Sequence, residues 1–343
     1  MRVLFDIVHP ADVLFFYNTI KALERRGDEY IILSRHKDVA CELLDQFGLP
    51  HMPISTAGNN TVELGFELLK RDYSVLKKAR QFKPHVMIGF GGVAISHIGK
   101  LLNIPAISYY EADTATLQNI VTWPFITHLY VPEPYAGKTP KNRTTRYEGL
   151  KELSYFHPDS FKIDDGKAVR NGWSPHEDNF FIRAVMWRAN HDIGKSGWSD
   201  EVFIALINKL KALGKVHISS ERSLPEELEA FRYKGKKADV HHLMAKCRLY
   251  VGESACMAQE AAFLGAPAIY DGHDVLGTTQ RVMDAGLVSM PYEKTQKALF
   301  KSIDAVLTEP PSVFQAKHAE FMADHPNLTD HILASLGRHA KVQ

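Results

Sequence analysis

The chain has 343 residues, enough for two domains of roughly 100–200 residues each. A formal net charge of +1 without a long basic run argues against a general nucleic-acid binder. The three cysteines form no CxxC pair, which argues against a disulfide framework or a zinc site and favours a reducing, cytoplasmic compartment. The opening residues resemble a first strand more than a signal peptide, and no run of about 18 apolar residues predicts a transmembrane helix.

The first half of the chain alternates short apolar runs with amphipathic stretches. Residues 3–8 are apolar apart from Asp6, which is typical of a strand buried on both faces. A helix is predicted over residues 12–25, and Gly27 ends it. Further strands are predicted at 30–34, 51–54, 85–89, 106–109 and 128–131. Strands separated by helices predict a parallel sheet built from βαβ units.

The alternation is interrupted and then starts again in the second half. Residues 132–178 are rich in Pro, Gly, Lys, Asn and Asp. Strands are predicted beyond them at 180–186, 215–219, 249–251 and 268–270. The expected organisation is an N-terminal Rossmann-like domain, a linker, a C-terminal Rossmann-like domain and a helical tail, over residues 1–150, 151–178, 179–310 and 311–343.

The strongest candidate site follows a predicted strand at residues 252–267, GESACMAQEAAFLGAP. Ligands of open α/β sheets bind beyond the carboxyl ends of the strands. A helix starting at Ala255 and Cys256, with Ser254 as N-cap, would offer amide groups to a phosphate. Glu260, further along that helix, could accept both hydroxyls of a ribose. The alternative is an ordinary serine cap followed by an exposed glutamate.

This segment resembles the uridine-nucleotide segment of GT-B proteins. It is most similar to the DSGGIQEEAPSLGKP pattern of non-hydrolysing UDP-N-acetylglucosamine 2-epimerases. The resemblance implies an α/β, GT-B-like fold, with two Rossmann-like domains and a nucleotide-sugar site in the cleft between them. It also implies that Glu260 holds the ribose and that Ser254 approaches a phosphate. Cys256 replaces the second glycine of the family pattern, which could narrow the phosphate turn.

Two more loops of the second domain are candidates for the nucleotide-sugar site. One follows the first strand and contains Arg188, Asn190 and His191. Arginine pairs well with phosphate, and the loop resembles the HRREN segment of the epimerases, although an ordinary polar loop is the alternative. The other contains His273 and corresponds to a loop that touches the sugar in GT-B proteins. No second cluster supports a metal there, and no cofactor is expected beyond the donor substrate.

In the first domain, the loop after the first strand places His9 where inverting GT-B enzymes often carry a base. Histidine transfers protons near neutral pH, but a structural role is an equal alternative. Asp12 is expected to cap the following helix. Gly91 and Gly92 follow a later strand and resemble the GMGGY loop of the lipid-linked N-acetylglucosaminyltransferase of peptidoglycan synthesis.

Glu111 lies in a YYEAD segment that resembles the HVEAG segment of the epimerases. The resemblance implies a functional carboxylate at this position. Asp113, two residues on, is expected to cap the next helix. The epimerases carry a catalytic aspartate near the loop of Gly91, and this chain has none there. That difference counts against epimerase chemistry.

Four segments resemble one uncharacterised GT-B-like family of archaea and bacteria, known only as a domain of unknown function. They are DIVHPADVLFF near the start, YEGLKELSYFHPDSF at 147–161, the WRANHDIG loop, and ADVHHLMAKCRLYVGES at 238–254. The matches cover nearly the whole chain. The resemblance implies a role in surface polysaccharide or glycoconjugate synthesis.

The leading hypothesis is an inverting glycosyltransferase with a UDP-linked donor in its second domain. Ser254, Glu260 and Arg188 would hold the donor, and His9, Gly91 and Glu111 would face a saccharide or lipid-linked acceptor. The alternatives are a nucleotide-sugar 2-epimerase or hydrolase, and a non-catalytic nucleotide-sugar-binding protein. Peripheral membrane contact stays open, because residues 123–125, Trp-Pro-Phe, could be exposed, although such aromatics usually pack inside.

Overall fold

A computed structural model describes residues 1–36, 39–56, 61–113, 115–186 and 197–340 of the chain. These residues belong to two compact units. Unit 1 combines Met1–Ser160 with His325–Gln343, and unit 2 is the continuous stretch Phe161–Asp324. Each unit contains one parallel sheet with helices, which confirms the predicted α/β class with two parallel sheets.

Seven strands form the sheet of unit 1: β1 (Arg2–Ile7), β2 (Glu29–His36), β3 (Met52–Thr56), β4 (Val86–Phe90), β5 (Ala106–Tyr109), β6 (His128–Pro132) and β7 (Thr144–Tyr147). They lie in the order β3-β2-β1-β4-β5-β6-β7, and all neighbours pair in parallel. The helices are α1 (Pro10–Arg26), α2 (Ala40–Gln46), α3 (Thr61–Phe82), α4 (Val93–Leu102), α5 (Thr116–Thr122), a 3₁₀ turn (Lys151–Ser154) and, from the end of the chain, α13 (Leu328–His339).

Five strands form the sheet of unit 2: β8 (Asp178–Ala184), β9 (Gly214–Ser220), β10 (Leu249–Gly252), β11 (Ala268–Tyr270) and β12 (Val288–Ser289). They lie in the order β12-β11-β10-β8-β9, and all pair in parallel. The helices are α6 (Asp165–Arg170), α7 (Asp200–Lys211), α8 (Val240–Met244), α9 (Ala255–Phe263), α10 (Gly277–Asp284), α11 (Gln296–Thr308) and α12 (Pro311–Ala323), with 3₁₀ turns at Glu226–Phe231 and Lys237–Asp239.

The start and end of α1 show how local sequence sets the helix limits. His9 is the N-cap, and its Nδ1 accepts a hydrogen bond from the Ala11 amide at 3.2 Å. The Asp12 carboxylate accepts from the His9 amide at 3.0 Å, which completes a capping box and confirms that Asp12 caps this helix. Gly27 ends the helix in the left-handed conformation, at φ +72°.

The unit limits differ from the domain limits expected from the sequence. The expected linker, 151–178, divides at Ser160, and the expected tail, 311–343, divides between the two units. The physical reason is side-chain pairing far along the chain. The hydroxyl of Tyr109 in β5 lies 2.9 Å from Nδ1 of His331 in α13, whereas Phe321 of α12 stacks on Phe263 in unit 2.

Candidate functional site

The start of α9 in unit 2 has the geometry of an anion-binding helix terminus. β10 lies between β8 and β11, so the loops after these three strands open at one edge of the sheet. Ser254 caps α9, and its Oγ accepts a hydrogen bond from the Met257 amide at 3.3 Å. Ser254, Ala255 and Cys256 are half-buried. The helix start can therefore be reached from outside, and its first amides point towards the open edge.

Glu260 lies in the second turn of the same helix and is buried. Its Oε2 lies 3.0 Å from Nε2 of His241 in α8. No pattern in the local sequence marks this partner. His241 fixes the direction of the carboxylate, so a ribose bound by Glu260 would share that carboxylate with the imidazole.

Two tyrosines stiffen the loops that begin at the ends of β10 and β11. The Tyr250 hydroxyl donates to the Ser254 carbonyl at 3.3 Å, and the Tyr270 hydroxyl donates to the Asp274 carbonyl at 2.9 Å. In each case a glycine two residues after the tyrosine makes room for the ring. A Cβ at Gly252 would lie 2.3 Å from the Tyr250 hydroxyl oxygen. The second of these loops carries His273, which is half-buried.

Buried carboxylates connect the loop ends below this edge. Glu253 accepts from the Val185 amide at 3.0 Å and from the Trp198 amide at 2.7 Å. Asp271 accepts from the Trp198 indole at 2.7 Å. Glu253 therefore holds the residues on either side of the segment 187–196. The predicted site residues Arg188, Asn190 and His191 lie in that segment, outside the described residues.

Arg222 is a candidate that the sequence analysis missed. It follows β9, and one of its guanidinium nitrogens, Nη1, donates to the Trp198 carbonyl at 2.8 Å. The guanidinium also lies 5.1 Å from the centre of the Phe203 ring. Among the described residues, its buried Nε and Nη2 atoms have no hydrogen-bond partner. Two such donors beside an anion-binding edge would suit an oxygen of a diphosphate.

The predicted residues of unit 1 share the carboxyl edge of its sheet. His9 follows β1, Gly91 and Gly92 follow β4, and Glu111 follows β5. Since β4 lies between β1 and β5, the three loops open side by side.

His9 already uses one ring nitrogen for the helix cap. Because Nδ1 accepts from the Ala11 amide, the neutral ring carries its proton on Nε2. In this tautomer the Nε2–H group of His9 is a hydrogen-bond donor and Nδ1 is the acceptor. Action as a general base would require His9 to release the cap.

The glycine loop requires its two glycines. Gly91 and Gly92 have φ values of +84° and +59°, in the left-handed region that other residues rarely adopt. A Cβ at Gly91 would lie 2.3 Å from Nε2 of Gln118. The close approach of α5 therefore gives a structural reason for Gly91 beside any role in ligand binding.

Glu111 belongs to a buried cluster of charged side chains. Nζ of Lys151 lies 2.7 Å from Oε1 of Glu111 and also pairs with Glu152. All three side chains are buried. Among the described residues, Oε2 of Glu111, Oε2 of Glu152 and the hydroxyl of nearby Tyr147 have no hydrogen-bond partner. Two carboxylates thus share one ammonium group.

Because two buried carboxylates share one ammonium group, the cluster binds a proton near neutral pH. Burial raises the pKa of Glu152 to about 7; Lys151 opposes the rise and Glu111 adds to it. Burial also raises the pKa of Tyr147, and the Glu111 charge adds to that effect. Lys151, Glu152 and Tyr147 are functional candidates that the sequence analysis did not select.

Asp113 does not cap α5, contrary to the expectation from the sequence. Its Oδ1 accepts from the Ala136 amide at 2.9 Å, and the N-cap of α5 is Ala115, without a side-chain cap. The carboxylate joins the segment after β5 to the segment after β6. Among the described residues, no group of three or more His, Cys, Asp or Glu side chains is placed to hold a metal ion. No helix of the described part of the chain has the length and apolarity needed to span a membrane.

Comparison with known proteins identifies relatives of this chain. Residues 1–288 match the family model described as "Protein of unknown function (DUF354)". An uncharacterized protein of Methanocaldococcus jannaschii, MJ0665, is 20% identical over 283 residues, which cover 78% of this chain and 81% of that protein.

Solved structures with a similar fold include proteins in complex with UDP-GlcNAc, UDP or thymidine diphosphate. The UDP-GlcNAc 2-epimerase of M. jannaschii, in complex with UDP-GlcNAc and UDP, has a TM-score of 0.65 and 15% identity, covering 91% of this chain and 94% of that one. The Neisseria meningitidis UDP-GlcNAc 2-epimerase bound to UDP-GlcNAc has a TM-score of 0.66 and 13% identity, and the match covers 98% of this chain and 100% of that one. The spinosyn rhamnosyltransferase SpnG with thymidine diphosphate has a TM-score of 0.60 and 12% identity, and the match covers 98% of this chain and 99% of that one. These similarities confirm the GT-B-like fold.

Proposed function

Because this chain belongs to the DUF354 family, whose fold is that of nucleotide-sugar epimerases and glycosyltransferases, we propose that it is a glycosyltransferase-like enzyme. It binds a UDP-linked sugar and transfers the sugar to a saccharide or lipid-linked acceptor in surface polysaccharide or glycoconjugate synthesis. Proteins with the same fold have been solved with UDP, UDP-GlcNAc and thymidine diphosphate. The observation that carries the proposal is the start of α9, with the Ser254 cap and the buried Glu260 on one helix.

The donor half of the proposal follows from the charge of a sugar diphosphate. Transfer leaves negative charge on the diphosphate, and amides at a helix start stabilise such charge without rearrangement. Ser254 accepts from Met257 and keeps its hydroxyl hydrogen for donation to a phosphate oxygen. Glu260 would accept from the ribose on the other side of the nucleotide.

The acceptor half of the proposal uses the carboxyl edge of unit 1. An acceptor hydroxyl must lose its proton as it attacks the sugar. Glu111 is the proposed proton acceptor because its Oε2 is buried without a hydrogen-bond partner among the described residues. His9, with its proton on Nε2, would donate a hydrogen bond to the acceptor and orient it.

A nucleotide-sugar 2-epimerase or hydrolase is the second candidate. Epimerisation needs groups that remove and return protons, and the cluster of Glu111, Lys151 and Glu152 contains two carboxyl groups. A non-catalytic nucleotide-sugar-binding protein is the third candidate. It would bind the same ligands through α9 without turning them over.

The proposal is tested by thermal unfolding of the whole protein with UDP, UDP-GlcNAc, and GDP- and dTDP-sugars. A ligand that binds only the folded state stabilises it by about 2.7 kcal/mol at a hundredfold excess over its dissociation constant. We expect a rise in Tm with UDP ligands that Glu260→Ala removes. Glu226→Ala, which changes an exposed glutamate of the same unit, is the matched control and should keep the full rise.

Each outcome has a distinct meaning. A rise lost only in Glu260→Ala supports the nucleotide site, and product analysis with a radiolabelled UDP-sugar then separates transfer from epimerisation. An equal rise in Tm in both variants would show that Glu260 does not contribute to nucleotide binding. No rise with any of the nucleotides would refute the proposed donor site.

A further inference from the structure

The exposed apolar side chains of unit 1 are concentrated on one set of helices. Among the described residues of unit 1, all of its exposed large hydrophobic side chains lie on α3, α4, α5 or the turn after α5. They are Phe66, Leu69, Tyr73, Leu101, Leu117, Ile120 and Phe125. We refer to these seven side chains as the apolar face. Exposed apolar side chains are ordinary when scattered, but a group of this size marks an interaction surface.

One histidine of α4 links the three helices of the apolar face. Nδ1 of His97 in α4 lies 2.8 Å from Oδ2 of Asp72 in α3, and its Nε2 lies 2.8 Å from the Val121 carbonyl in α5. The His97 ring also meets the Phe125 ring edge to face, with centres 5.0 Å apart. The hydrogen bond to Asp72 raises the pKa of His97, and it is charge-assisted when the imidazole is protonated. The face is therefore a fixed surface of the folded unit.

On α3 the apolar face forms a regular row. Phe66, Leu69 and Tyr73 are 70%, 67% and 68% exposed. Their spacing of three and then four residues places them on one side of the helix. Aromatic side chains bury about 150–250 Å² each, so the seven side chains together could supply the apolar centre of an interface of roughly 800 Å² per partner.

The charged residues at the two ends of this row are opposite in sign, so they are complementary to those of a second, antiparallel copy of α3. Exposed Glu63 precedes the row and exposed Lys77 follows it. If two copies of α3 lie antiparallel, crossing near Leu69, Phe66 of each copy meets Tyr73 of the other. Glu63 then lies at the level of Lys77 of the other copy. A two-fold interface requires this kind of self-complementary surface.

We propose that the apolar face binds a second copy of this chain, with α3 packed antiparallel against its equivalent. The inference goes beyond the proposed function and does not depend on it. Lys70 lies near the two-fold axis, and its long stem lets the ammonium group turn into solvent. An anionic membrane surface would attract the basic residues of α3 alone, whereas an antiparallel second copy also requires an acidic residue at the level of Lys77.

A charge exchange on α3 tests this arrangement. Sedimentation equilibrium of the full chain should give a dimer of the 38.7 kDa protein. Glu63→Lys or Lys77→Glu alone places like charges opposite each other and should weaken the dimer by about tenfold. The double variant Glu63→Lys/Lys77→Glu restores opposite charges and should recover most of that loss. Leu69→Asp should give a monomer, while Leu213→Asp, at an exposed leucine of unit 2, should not.

Three results would contradict the proposed dimer. A monomeric wild-type protein at tens of micromolar would overturn the proposal. A dimer unaffected by Leu69→Asp would place the interface elsewhere. Wild-type protein that is monomeric yet sediments with phosphatidylglycerol vesicles, and loses this binding in Lys77→Glu without recovery in the double variant, would identify a membrane surface instead. A folded state for every variant is checked by circular dichroism.

Discussion

At the scale of single residues, Lys151 decides the state of the buried cluster in unit 1. It is the shared cation for Glu111 and Glu152, all three being buried. One ammonium group compensates one carboxylate, and a second carboxylate in the same site is stable only if it binds a proton or a further donor. This imbalance is typical of a site that binds a polar ligand or exchanges protons.

The cluster predicts a measurable dependence of stability on pH. Burial raises the pKa of Glu152 from its ordinary value of 4.5 to about 7. The folded state then binds more protons than the unfolded chain between these values, so the unfolding free energy falls as the pH rises through this range. Glu152→Gln cannot ionise. We expect it to unfold at a higher temperature than wild type at pH 8, with the difference shrinking towards pH 5.

The matched control for this experiment is Glu148→Gln, which removes an exposed carboxylate four residues earlier. It should follow the wild-type curve at every pH. If Glu152→Gln also runs parallel to wild type, Glu152 does not hold a proton in the folded protein near neutral pH.

We expect Arg222 to contribute specifically to binding of the diphosphate, because two of its guanidinium donors have no hydrogen-bond partner among the described residues. Hydrogen bonds to charged groups contribute about 1.5–3 kcal/mol, so loss of this guanidinium should weaken UDP binding by roughly tenfold to a hundredfold. Arg222→Gln keeps an N–H donor for the Trp198 carbonyl and is the suitable change. Isothermal titration should show weaker binding of UDP and unchanged binding of uridine. Arg232→Gln, at an arginine paired with Glu229, is the control, and an equal loss for uridine would indicate a general disturbance of the fold.

At the scale of elements, the strands that the sequence reveals are those buried on both faces. β4 and β10 read as apolar runs, as does β1 apart from Asp6, and the predicted limits of all three lie within one residue of the observed ones. β7, Thr144–Tyr147, was not predicted because its sequence TTRY has no apolar run, and β12 has only two residues.

The candidate site was predictable where chemistry depends on neighbouring positions. Ser254 precedes a helix start directly, so its cap follows from local sequence. The partners of Glu260 and Glu111 lie 19 and 40 residues away, at His241 and Lys151. Such pairs depend on how the elements pack, and no local pattern marks them. The placement of α13 on unit 1 depends on still more distant pairs, such as Tyr109 with His331.

The attachment of α13 predicts sensitivity to acid. Burial lowers the pKa of His331, and burial together with His128 and Arg338 lowers the pKa of His339 to about 4. The unfolded chain binds more protons than the folded state between about pH 6.5 and 4, so the unfolding free energy falls as the pH is lowered through this range. His331→Asn/His339→Asn should lose less stability than wild type between pH 7 and 5 in urea unfolding. His176→Asn, at an exposed site, should behave as wild type.

At the scale of the whole molecule, the two units differ in how the chain forms them. Unit 2 is continuous from Phe161 to Asp324, whereas unit 1 needs both ends of the chain. In unit 1, α13 contacts α1, and its His331 and His339 pair with Tyr109 and Tyr130 of the sheet. Removal of α13 would expose these aromatic rings and leave their hydroxyl groups without their partners.

This difference predicts how the molecule can be divided. A fragment of residues 161–324 should unfold cooperatively and keep the UDP binding proposed for α9, because its sheet and the Ser254 turn lie within it. A fragment of residues 1–160 should lack a cooperative transition. Joining residue 160 to residue 325 by a short glycine-serine linker should restore one, since the Asn327 amide donates to the Ser160 hydroxyl at 2.7 Å and the two ends are already adjacent. Calorimetry distinguishes the three cases. A cooperative transition in 1–160 alone would show that α13 is dispensable, and UDP binding absent from a folded 161–324 fragment would show that the nucleotide site requires residues of unit 1.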